Sequence, residues 1–411
     1  MSRADGPRTA APLETVVVGG GIIGLLTALE CAGAGHRVTV VERGALPNPA
    51  AASYDRHRTL RALHPGDPGA TGAALTAHHA WRELDTAWGI RCYHQVGALT
   101  VLESGQAEDA RRLLTAAGAP AQTLDGDQLA RAYPHLTLPE GRVGILEEQA
   151  GVLLADRILT AAAARLRHHP GVRLLTGRAA TRVDPATGTV TLHGGRTLRA
   201  DRLLVAAGAG SRDLLAPFTR DRIRLHRQTL LYCRVPDTQK AAWDAMPAIP
   251  ALGTDNGAWL LPPVADTPLK ISAHEACRTV PDTGTGTPDP AYTRLLTQRF
   301  SRLIPAFRPD WITQARDCHY LTDADSGGAL LLELADGTCF AQAACGGGAF
   351  KFAPLIARAL TQRFNGTRPA PTGLATLDTP HRAGADPNPT TALRTEGGEG
   401  DQLQRQEVPQ H

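Results

Sequence analysis

A short β-branched run that ends in a cluster of glycines constrains this chain more than any other feature. Thr15 to Val18 lead into Gly19-Gly20-Gly21-Ile22-Ile23-Gly24, a helical pattern of apolar residues follows, and a second strand pattern runs from Arg37 to Val41. This order predicts a strand, a tight turn, a helix and a second parallel strand. The chain is therefore expected to contain a Rossmann-like α/β unit.

The glycines are spaced as in G-x-G-x-x-G, a pattern that binds dinucleotides. Gly19 permits the turn, Gly21 lets a pyrophosphate approach the backbone, and Gly24 lets the helix pack closely on the strand. The pyrophosphate would lie at the helix N-terminus, where free N–H groups favour anions. Glu42 would accept hydrogen bonds from an adenosine ribose and repel a 2′-phosphate, which disfavours NADP. The alternative is a turn that only packs a helix on a sheet, and the motif alone does not separate FAD from NAD.

Composition excludes several other classes of protein. The 411 residues predict about two domains, and a net charge of +3 is too small to indicate nucleic acid or an anionic membrane as a partner. No apolar run is long enough to cross a membrane, and the polar N-terminus has no secretory signal. The seven cysteines form no C-x-x-C pair and no zinc-like cluster. We expect a soluble cytoplasmic protein with free thiols and no metal site.

Three downstream segments favour FAD over NAD. The first runs from Gly171 to Val183 and contains a strand pattern at Val172 to Leu175. The second is Asp201 to Ala209, where small residues around Gly208 would let backbone approach a nucleotide. The third is Gly346-Gly347-Gly348, ahead of a helix predicted from Pro354 to Phe364, and it would present N–H groups to a flavin ring. Each segment also fits an ordinary strand end, but their order along the chain is typical of flavoproteins.

With these motifs the chain resembles the D-amino acid oxidase superfamily, in the monomeric sarcosine oxidase and N-methyltryptophan oxidase branch, over about residues 13–370. The resemblance implies a two-domain α/β (α+β) fold, in which a Rossmann-like FAD-binding domain carries a mixed-sheet substrate domain. We expect the FAD-binding domain at 13–90, 147–217 and 322–372, and the substrate domain at 91–146 and 218–321. The polar residues 377–411 are expected to form a disordered tail.

The segment Asp55 to Arg61 is similar to a Thr-Arg-x-x-Arg stretch of that family. The resemblance places Arg58 against the flavin and Arg61 on the substrate carboxylate, with Lys351 as the second carboxylate-binding cation. Buried guanidinium groups need anionic partners, and the fork of an arginine suits a carboxylate. A solvated basic loop is the alternative that the residues alone leave open.

Lys270 lies in Leu269-Lys270-Ile271-Ser272-Ala273-His274, which matches a strand lysine of the family. The resemblance puts Lys270 near flavin N5, where a fixed positive charge would assist the reduction of O₂. An even offset within a strand would place His274 on the same face as Lys270. Both residues are therefore candidate catalytic groups.

Cys318 lies in Ala315-Arg316-Asp317-Cys318-His319-Tyr320, which resembles the segment that carries a cysteine–flavin thioether in this family. Cys318 is therefore expected to attach FAD covalently. The alternative is that Cys318 is a small hydrophobic residue of the core.

The resemblance weakens at the pocket wall. Tyr54 or Ser53 stands where the family has a flavin-side histidine, and Trp259 stands where it has a tyrosine. We assign Tyr54 and Trp259 to the substrate pocket, and the identity of the substrate does not follow. Ile23, Arg43 and Val183 complete the expected cofactor site.

The resemblance implies a monomeric oxidase that uses FAD and O₂ to oxidise the C–N bond of a secondary or N-substituted amino acid. The products would be an imine, or its hydrolysis products, and H₂O₂. One alternative is a tailoring flavoenzyme acting on a cyclic imino acid or an N-carboxymethyl amine or hydrazine. The other is a flavin-binding module without activity, in which Arg58, Lys270 and Lys351 would have no reason to occur together.

Overall fold

The computed structural model describes residues 11–252, 257–284 and 286–383. A mixed sheet with a parallel centre contains the N-terminal strand. In spatial order its strands are His381–Arg382, Ala329–Ala335, Cys339–Cys345, Arg202–Val205, Glu14–Val18, Arg37–Val41 and Val172–Leu175. This arrangement confirms the predicted α/β fold with its Rossmann-like unit.

The two faces of this sheet are covered by different layers, because successive strand residues point to opposite sides. Val17 packs with the helices Ile22–Gly33 and Ala349–Phe364 on one face. Val16 and Val18 pack on the other face with the small antiparallel sheet Ala180–Asp184, Thr189–Leu192 and Thr197–Arg199. Burial of the strand on both faces explains its continuous run of valines.

A second, larger sheet follows the expected mixed pattern. Its strands, in spatial order, are Cys277–Thr279, Ile223–Cys233, Leu269–Ala273, Ala258–Leu261, Ala248–Leu252, Ala98–Leu102, Val143–Glu147 and Gln122–Leu124, and Ile312–Asp323 also pairs with Ile223–Cys233. The helix Pro290–Leu303 packs Leu296 and Phe300 into the core of this sheet. The division into two sheets matches the expected architecture, whereas the domain boundaries stay a prediction.

The remaining elements connect these layers. A short sheet joins Arg58–Leu60, Gly151–Leu153 and Tyr93–His94. The other helices are Pro68–Trp88, Ser104–Ala116, Gly126–Ala132, Ala155–His168, Ser211–Leu214, Ala216–Thr219, Lys240–Asp244 and Ala375–Asp378. Within the described ranges, none of the helices combines the length and the apolar character needed to cross a membrane.

The C-terminal helix and tail differ from the sequence-based expectation. The helix begins at Ala349 and keeps Pro354 in its interior, whereas Pro354 was predicted to start it. Lys351 therefore lies in the first helical turn. The predicted disorder from residue 377 is wrong up to residue 383, since Leu377 is buried in the core and His381–Arg382 pairs with Ala329–Ala335. Residues 384–411 lie outside the described part of the chain.

Candidate active site

The glycine loop has the geometry that a pyrophosphate site requires. Gly19 has a φ of +111°, and a Cβ there would lie 2.2 Å from the Ala206 carbonyl oxygen. A Cβ at Gly24 would lie 2.0 Å from the Gly19 oxygen, so the strand and helix could not pack as they do. Gly21 caps the helix Ile22–Gly33 without a side-chain hydrogen bond, and the first turn holds no acidic residue. The N–H of Ile22 donates to Ser53 Oγ at 3.3 Å, and the positive end of this helix still favours an anion.

Glu42 lies beside the glycine loop, as expected, and also supports it. Its buried carboxylate accepts hydrogen bonds from the backbone N–H of Gly20 at 2.8 Å and of Gly44 at 2.9 Å, and from Asn48 Nδ2 at 2.9 Å. The neighbouring Arg43 is exposed. The structure therefore places an acid and a cation at the end of the second strand.

The other expected cofactor residues gather at the same edge of the sheet. The strands that end at Val18, Val41 and Val205 are parallel neighbours, so the turns that follow them meet at their carboxyl ends. Gly208, in one of those turns, has a φ of +58°. Val183 packs against these strand ends and is 5% exposed. Ile23 is also buried, so its backbone is the part that could face a ligand.

Gly346, Gly347 and Gly348 bring the start of the C-terminal helix close to the long strand Ile312–Asp323. Gly346 and Gly347 have φ values of +59° and +71°. A Cβ at Gly346 would lie 2.6 Å from the Ala329 nitrogen, and one at Gly347 would lie 3.4 Å from the Tyr320 ring. Glycine is therefore required at Gly346 for the turn and the close approach.

Cys318 lies on that strand, next to Arg58. Its Sγ is 4.0 Å from Arg58 Nη2 and 3.9 Å from the carbonyl oxygen of Ala52. Residues two apart in a strand share a face, so Cys318, Tyr320 and Thr322 point the same way. Tyr320 and Thr322 line an open groove. Cys318 is half-buried at the edge of this region rather than packed into the core.

Lys270 is buried in the larger sheet and is 2% exposed. Its Nζ lies 2.5 Å from Asp55 Oδ2 and 3.3 Å from the carbonyl oxygen of His57. The Trp259 ring is 5.6 Å from the same nitrogen. The sequence singled out Lys270 and Trp259 but not Asp55, whose ion pair joins positions 215 residues apart.

The prediction that His274 shares a face with Lys270 is wrong. The strand ends at Ala273, and His274 begins the short 3₁₀ turn His274–Ala276. Alternation of side chains stops where the strand stops, and the His274 side chain is exposed. Tyr54, in contrast, is half-buried and packs against the core formed with the glycine-loop helix.

Arg61 and Lys351 form a second buried cationic cluster with His64 and Glu147. His64 Nδ1 donates to the Ala62 carbonyl oxygen at 2.8 Å, which leaves Nε2 to accept from Lys351 Nζ at 3.1 Å. Burial, followed by the neighbouring charge of Arg61, lowers the pKa of Lys351 to about 7. Burial and the charge of Lys351 lower the pKa of His64 to about 3, so this imidazole is neutral.

Glu147 offsets part of this positive charge. Its carboxylate accepts hydrogen bonds from the backbone N–H of Ala62 at 2.7 Å and of Leu63 at 3.2 Å. Burial raises the pKa of Glu147, while those bonds and Arg61 act against the rise. The buried Arg61 Nη1 has no hydrogen-bond partner among the described residues. With Glu147 ionised and Lys351 protonated, which holds below about pH 7, the cluster has one net positive charge and a free guanidinium donor, the complement of one carboxylate.

The sequence did not indicate Asp55, His64 or Glu147 as site residues. The scarcity of lysine, however, points to the two clusters in which they lie. The chain has three lysines among its 43 basic residues, namely Lys240, Lys270 and Lys351. Lys240 is exposed, whereas the other two lie in the two cationic clusters. A chain that uses arginine almost everywhere keeps lysine at two sites where a compact cation is surrounded by protein.

These observations fit FAD as the bound group. The helix N-terminus behind Gly21 suits a pyrophosphate, and Glu42 with Arg43 lies where an adenosine would end. Cys318, Arg58 and the Gly346–Gly348 turn lie close to one another, where an isoalloxazine ring could contact all three. Within the described ranges, no cluster of His, Cys, Asp and Glu side chains could hold a metal ion.

The chain is similar to known flavoprotein oxidases. Human peroxisomal sarcosine oxidase is 25% identical over 206 residues, covering 50% of this chain and 52% of that protein. The chain thus aligns with about half the length of the curated relatives it matches. NikD, an unusual amino acid oxidase essential for nikkomycin biosynthesis, has a similar fold, with a TM-score of 0.73, 20% identity and coverage of 90% and 98% of the two chains.

A further solved structure shares the fold. The modified fructosyl peptide oxidase of Aspergillus nidulans superposes with a TM-score of 0.74 at 20% identity, and the match covers 90% of this chain and 93% of that one. The family model described as DAO, FAD dependent oxidoreductase, matches residues 14–363, which include both cationic clusters and every strand of the two large sheets except His381–Arg382. The chain therefore belongs to the DAO family of FAD dependent oxidoreductases.

Proposed function

We propose that this protein is an FAD-dependent oxidase of the C–N bond of a secondary or N-substituted amino acid. The observation that carries the proposal is the buried Arg61–Lys351 cluster with its partnerless guanidinium nitrogen. The cluster sets two buried cations against one acid, Glu147, and a buried positive charge without an anion is costly, so the excess charge suits a ligand that brings a carboxylate. Similarity to sarcosine oxidases and to a fructosyl peptide oxidase, whose names denote N-substituted amino acids and peptides, supports the substrate class.

The cofactor would be held along the line of glycines already described. The glycine loop with Ile23 would bind the pyrophosphate, and Glu42 and Arg43 would bind the adenosine. Val183 and Gly208 would form the protein wall beside the adenosine. Arg58, Cys318 and the Gly346–Gly348 turn would hold the ring. When bound, FAD accepts a hydride equivalent from the C–H bond next to nitrogen, giving an imine, and passes two electrons to O₂ to form H₂O₂.

The protein residues would contribute position and charge rather than acid–base chemistry. Arg61 and Lys351 would fix the carboxylate, so that the α-carbon lies over the ring in a reactive geometry. Lys270 would place a positive charge where negative charge develops on oxygen. Trp259, whose ring lies near Lys270, and Tyr54 would form the pocket around the amine substituent. No general base is needed when the neutral amine is the reacting form.

The domain division expected from the sequence is part of the proposal. The FAD-binding domain would comprise 13–90, 147–217 and 322–372, and the substrate domain 91–146 and 218–321. Lys270 and Asp55 would then pair across the boundary between the two domains. We also propose a cytoplasmic monomer.

A panel of amino acids tests the function. Purified holoenzyme should lose its oxidised flavin absorbance under anaerobic conditions with at least one of sarcosine, pipecolate, proline or an N-substituted glycine, and should then form H₂O₂ in air. Product analysis separates an oxidase of simple amino acids from a tailoring enzyme for cyclic imino acids or N-carboxymethyl compounds. Absence of reduction by any amine in a broadened panel would leave only flavin binding without activity.

Covalent attachment at Cys318 is tested separately. Forming the thioether breaks one S–H and one C–H bond, so two electrons and two protons must leave. O₂ can accept the two electrons and the two protons and become H₂O₂. Acid-precipitated wild-type protein is expected to keep its yellow colour, whereas Cys318→Ser should release all flavin into the supernatant. Cys345→Ser, at another half-buried thiol near Cys318, serves as the matched control and should keep the colour. Wild-type flavin that is fully extractable would contradict the assignment.

A further inference from the structure

Asp55 is a buried carboxylate that the sequence did not assign to the site. In addition to Lys270, its Oδ2 lies 3.1 Å from Arg58 Nη2. Its Oδ1 accepts hydrogen bonds from the Tyr232 hydroxyl and, at 2.7 Å, from the Arg56 backbone N–H. Three hydrogen bonds, from Lys270, Tyr232 and Arg56, and the ion pair with Arg58 hold this carboxylate in place. Asp55 is therefore fixed by four groups.

Asp55 is the ionised acid that balances the charge of Lys270, because the neighbouring His57 and Tyr232 are neutral. Burial alone would raise the pKa of Asp55, but the charges of Lys270 and Arg58 hold this pKa well below its ordinary value. Burial and Lys270 lower the pKa of His57 to about 3, and burial and Asp55 raise that of Tyr232, so both are neutral near pH 7. Burial lowers the pKa of Lys270 and the charge of Arg58 adds to that fall, while the charge of Asp55 and its hydrogen bond act against it. The ion pair with Asp55 at 2.5 Å is therefore the contact that favours the charged lysine.

We propose that Asp55 is a positioning residue that keeps Lys270 charged and fixed throughout the neutral pH range. The proposal rests on the proposed oxidase function, in which Lys270 assists O₂ reduction. Without Asp55, two cations would remain buried side by side, and the lysine would lose its proton first because an arginine keeps its charge. The oxidative step would then depend on pH, whereas with Asp55 it does not.

The first test compares the pH dependence of reoxidation. Wild type and Asp55→Asn are reduced anaerobically with substrate and mixed with O₂ in stopped flow from pH 6 to 9.5. The wild-type rate is expected to stay level from pH 6 to about 8. The variant rate should fall at least about tenfold over the whole range, since a lysine loses about nine-tenths of its charge one unit above its pKa. Tyr232→Phe removes one hydrogen bond and keeps the carboxylate charge, so its profile should follow wild type.

The second test reads stability instead of turnover. In Asp55→Asn, the buried Lys270 should have a folded-state pKa below its unfolded value, so the unfolded chain binds more protons. Stability relative to wild type should therefore be lowest near pH 6 and recover as pH rises toward 9.5. Thermal unfolding measures this as a Tm difference that shrinks with pH, whereas the Tm difference for Tyr232→Phe should stay constant.

The outcomes separate this inference from the proposed function. A Tm difference for Asp55→Asn that does not change with pH overturns the role of Asp55. If this variant does not fold, a wild-type reoxidation rate that already falls between pH 6 and about 8 overturns it instead, and a rate that stays level over that range supports it. If Lys270→Met leaves reoxidation unchanged, only the role of Lys270 in O₂ reduction is contradicted. The role of Asp55 is still tested by the Tm measurement, which needs no turnover.

Discussion

Lys270→Met is expected to lower the rate at which O₂ reoxidises the reduced enzyme by about 10²–10³-fold, the usual cost of losing a preorganised charge-stabilising group. Methionine keeps the length of the side chain and removes its charge. The structure supports a strong effect because Lys270 is 2% exposed and fixed by Asp55 and His57, so it cannot reorient at the moment of reaction. Stopped-flow mixing of substrate-reduced enzyme with O₂ measures the rate.

Two comparisons make this result specific. Anaerobic reduction by substrate should change much less, since hydride transfer does not require this cation. Lys240→Met removes the exposed lysine and should leave both half-reactions unchanged. An unaltered reoxidation rate in Lys270→Met, with full flavin content, would show that the enzyme passes its electrons elsewhere or that this cation lies away from the oxygen site.

Arg61→Ala or Lys351→Met is expected to weaken binding of a carboxylate substrate by about 30-fold or more. Loss of one member of a desolvated charge pair costs about 2–5 kcal/mol, and each 1.4 kcal/mol is a factor of ten in affinity. The two cations are held by different elements, since Arg61 follows the strand Arg58–Leu60 and Lys351 lies in the first turn of the helix Ala349–Phe364. The dissociation constant of an unreactive carboxylate analogue, followed through the flavin spectrum, gives the loss directly.

A decarboxylated analogue is the control ligand for these variants. It should bind weakly to wild type and lose little more in either variant. Affinity for the carboxylate ligand in wild type should also fall as pH rises above about 7, because burial and Arg61 lower the pKa of Lys351 to about 7 and the ligand needs the charged form. Equal binding of the two ligands to wild type would mean that the cluster does not recognise a carboxylate.

The elements that sequence analysis predicted well are those whose cause is local. Gly19 and Gly24 are glycines because a Cβ would overlap backbone one turn or one strand away, and such restrictions leave a fixed spacing in the chain. The strands Arg37–Val41 and Val172–Leu175 have the predicted bounds because buried parallel strands are continuous apolar or β-branched runs. Their order was enough to indicate the fold and the cofactor.

The parts that were missed depend on contacts between distant segments. Asp55 contacts Lys270, and Glu147 contacts Leu63, only in the folded protein, because the partners lie far apart along the chain. Nothing in the sequence next to either acid indicates these contacts. The error at His274 has a different origin. An alternating pattern predicts a common face only while the strand lasts, and the sequence did not show that this strand stops at Ala273.

The scarcity of lysine makes the two cations of this site directly observable. Because the chain has three lysines, protein grown with isotope-labelled lysine would give three sets of ε-methylene signals. Lys240→Arg removes the exposed one, and the two that remain report the chemical shift of Lys270 and Lys351 as pH or ligand changes. The protonation of two buried amines could then be followed separately in the resting protein. Here the composition of the chain already provides that selectivity.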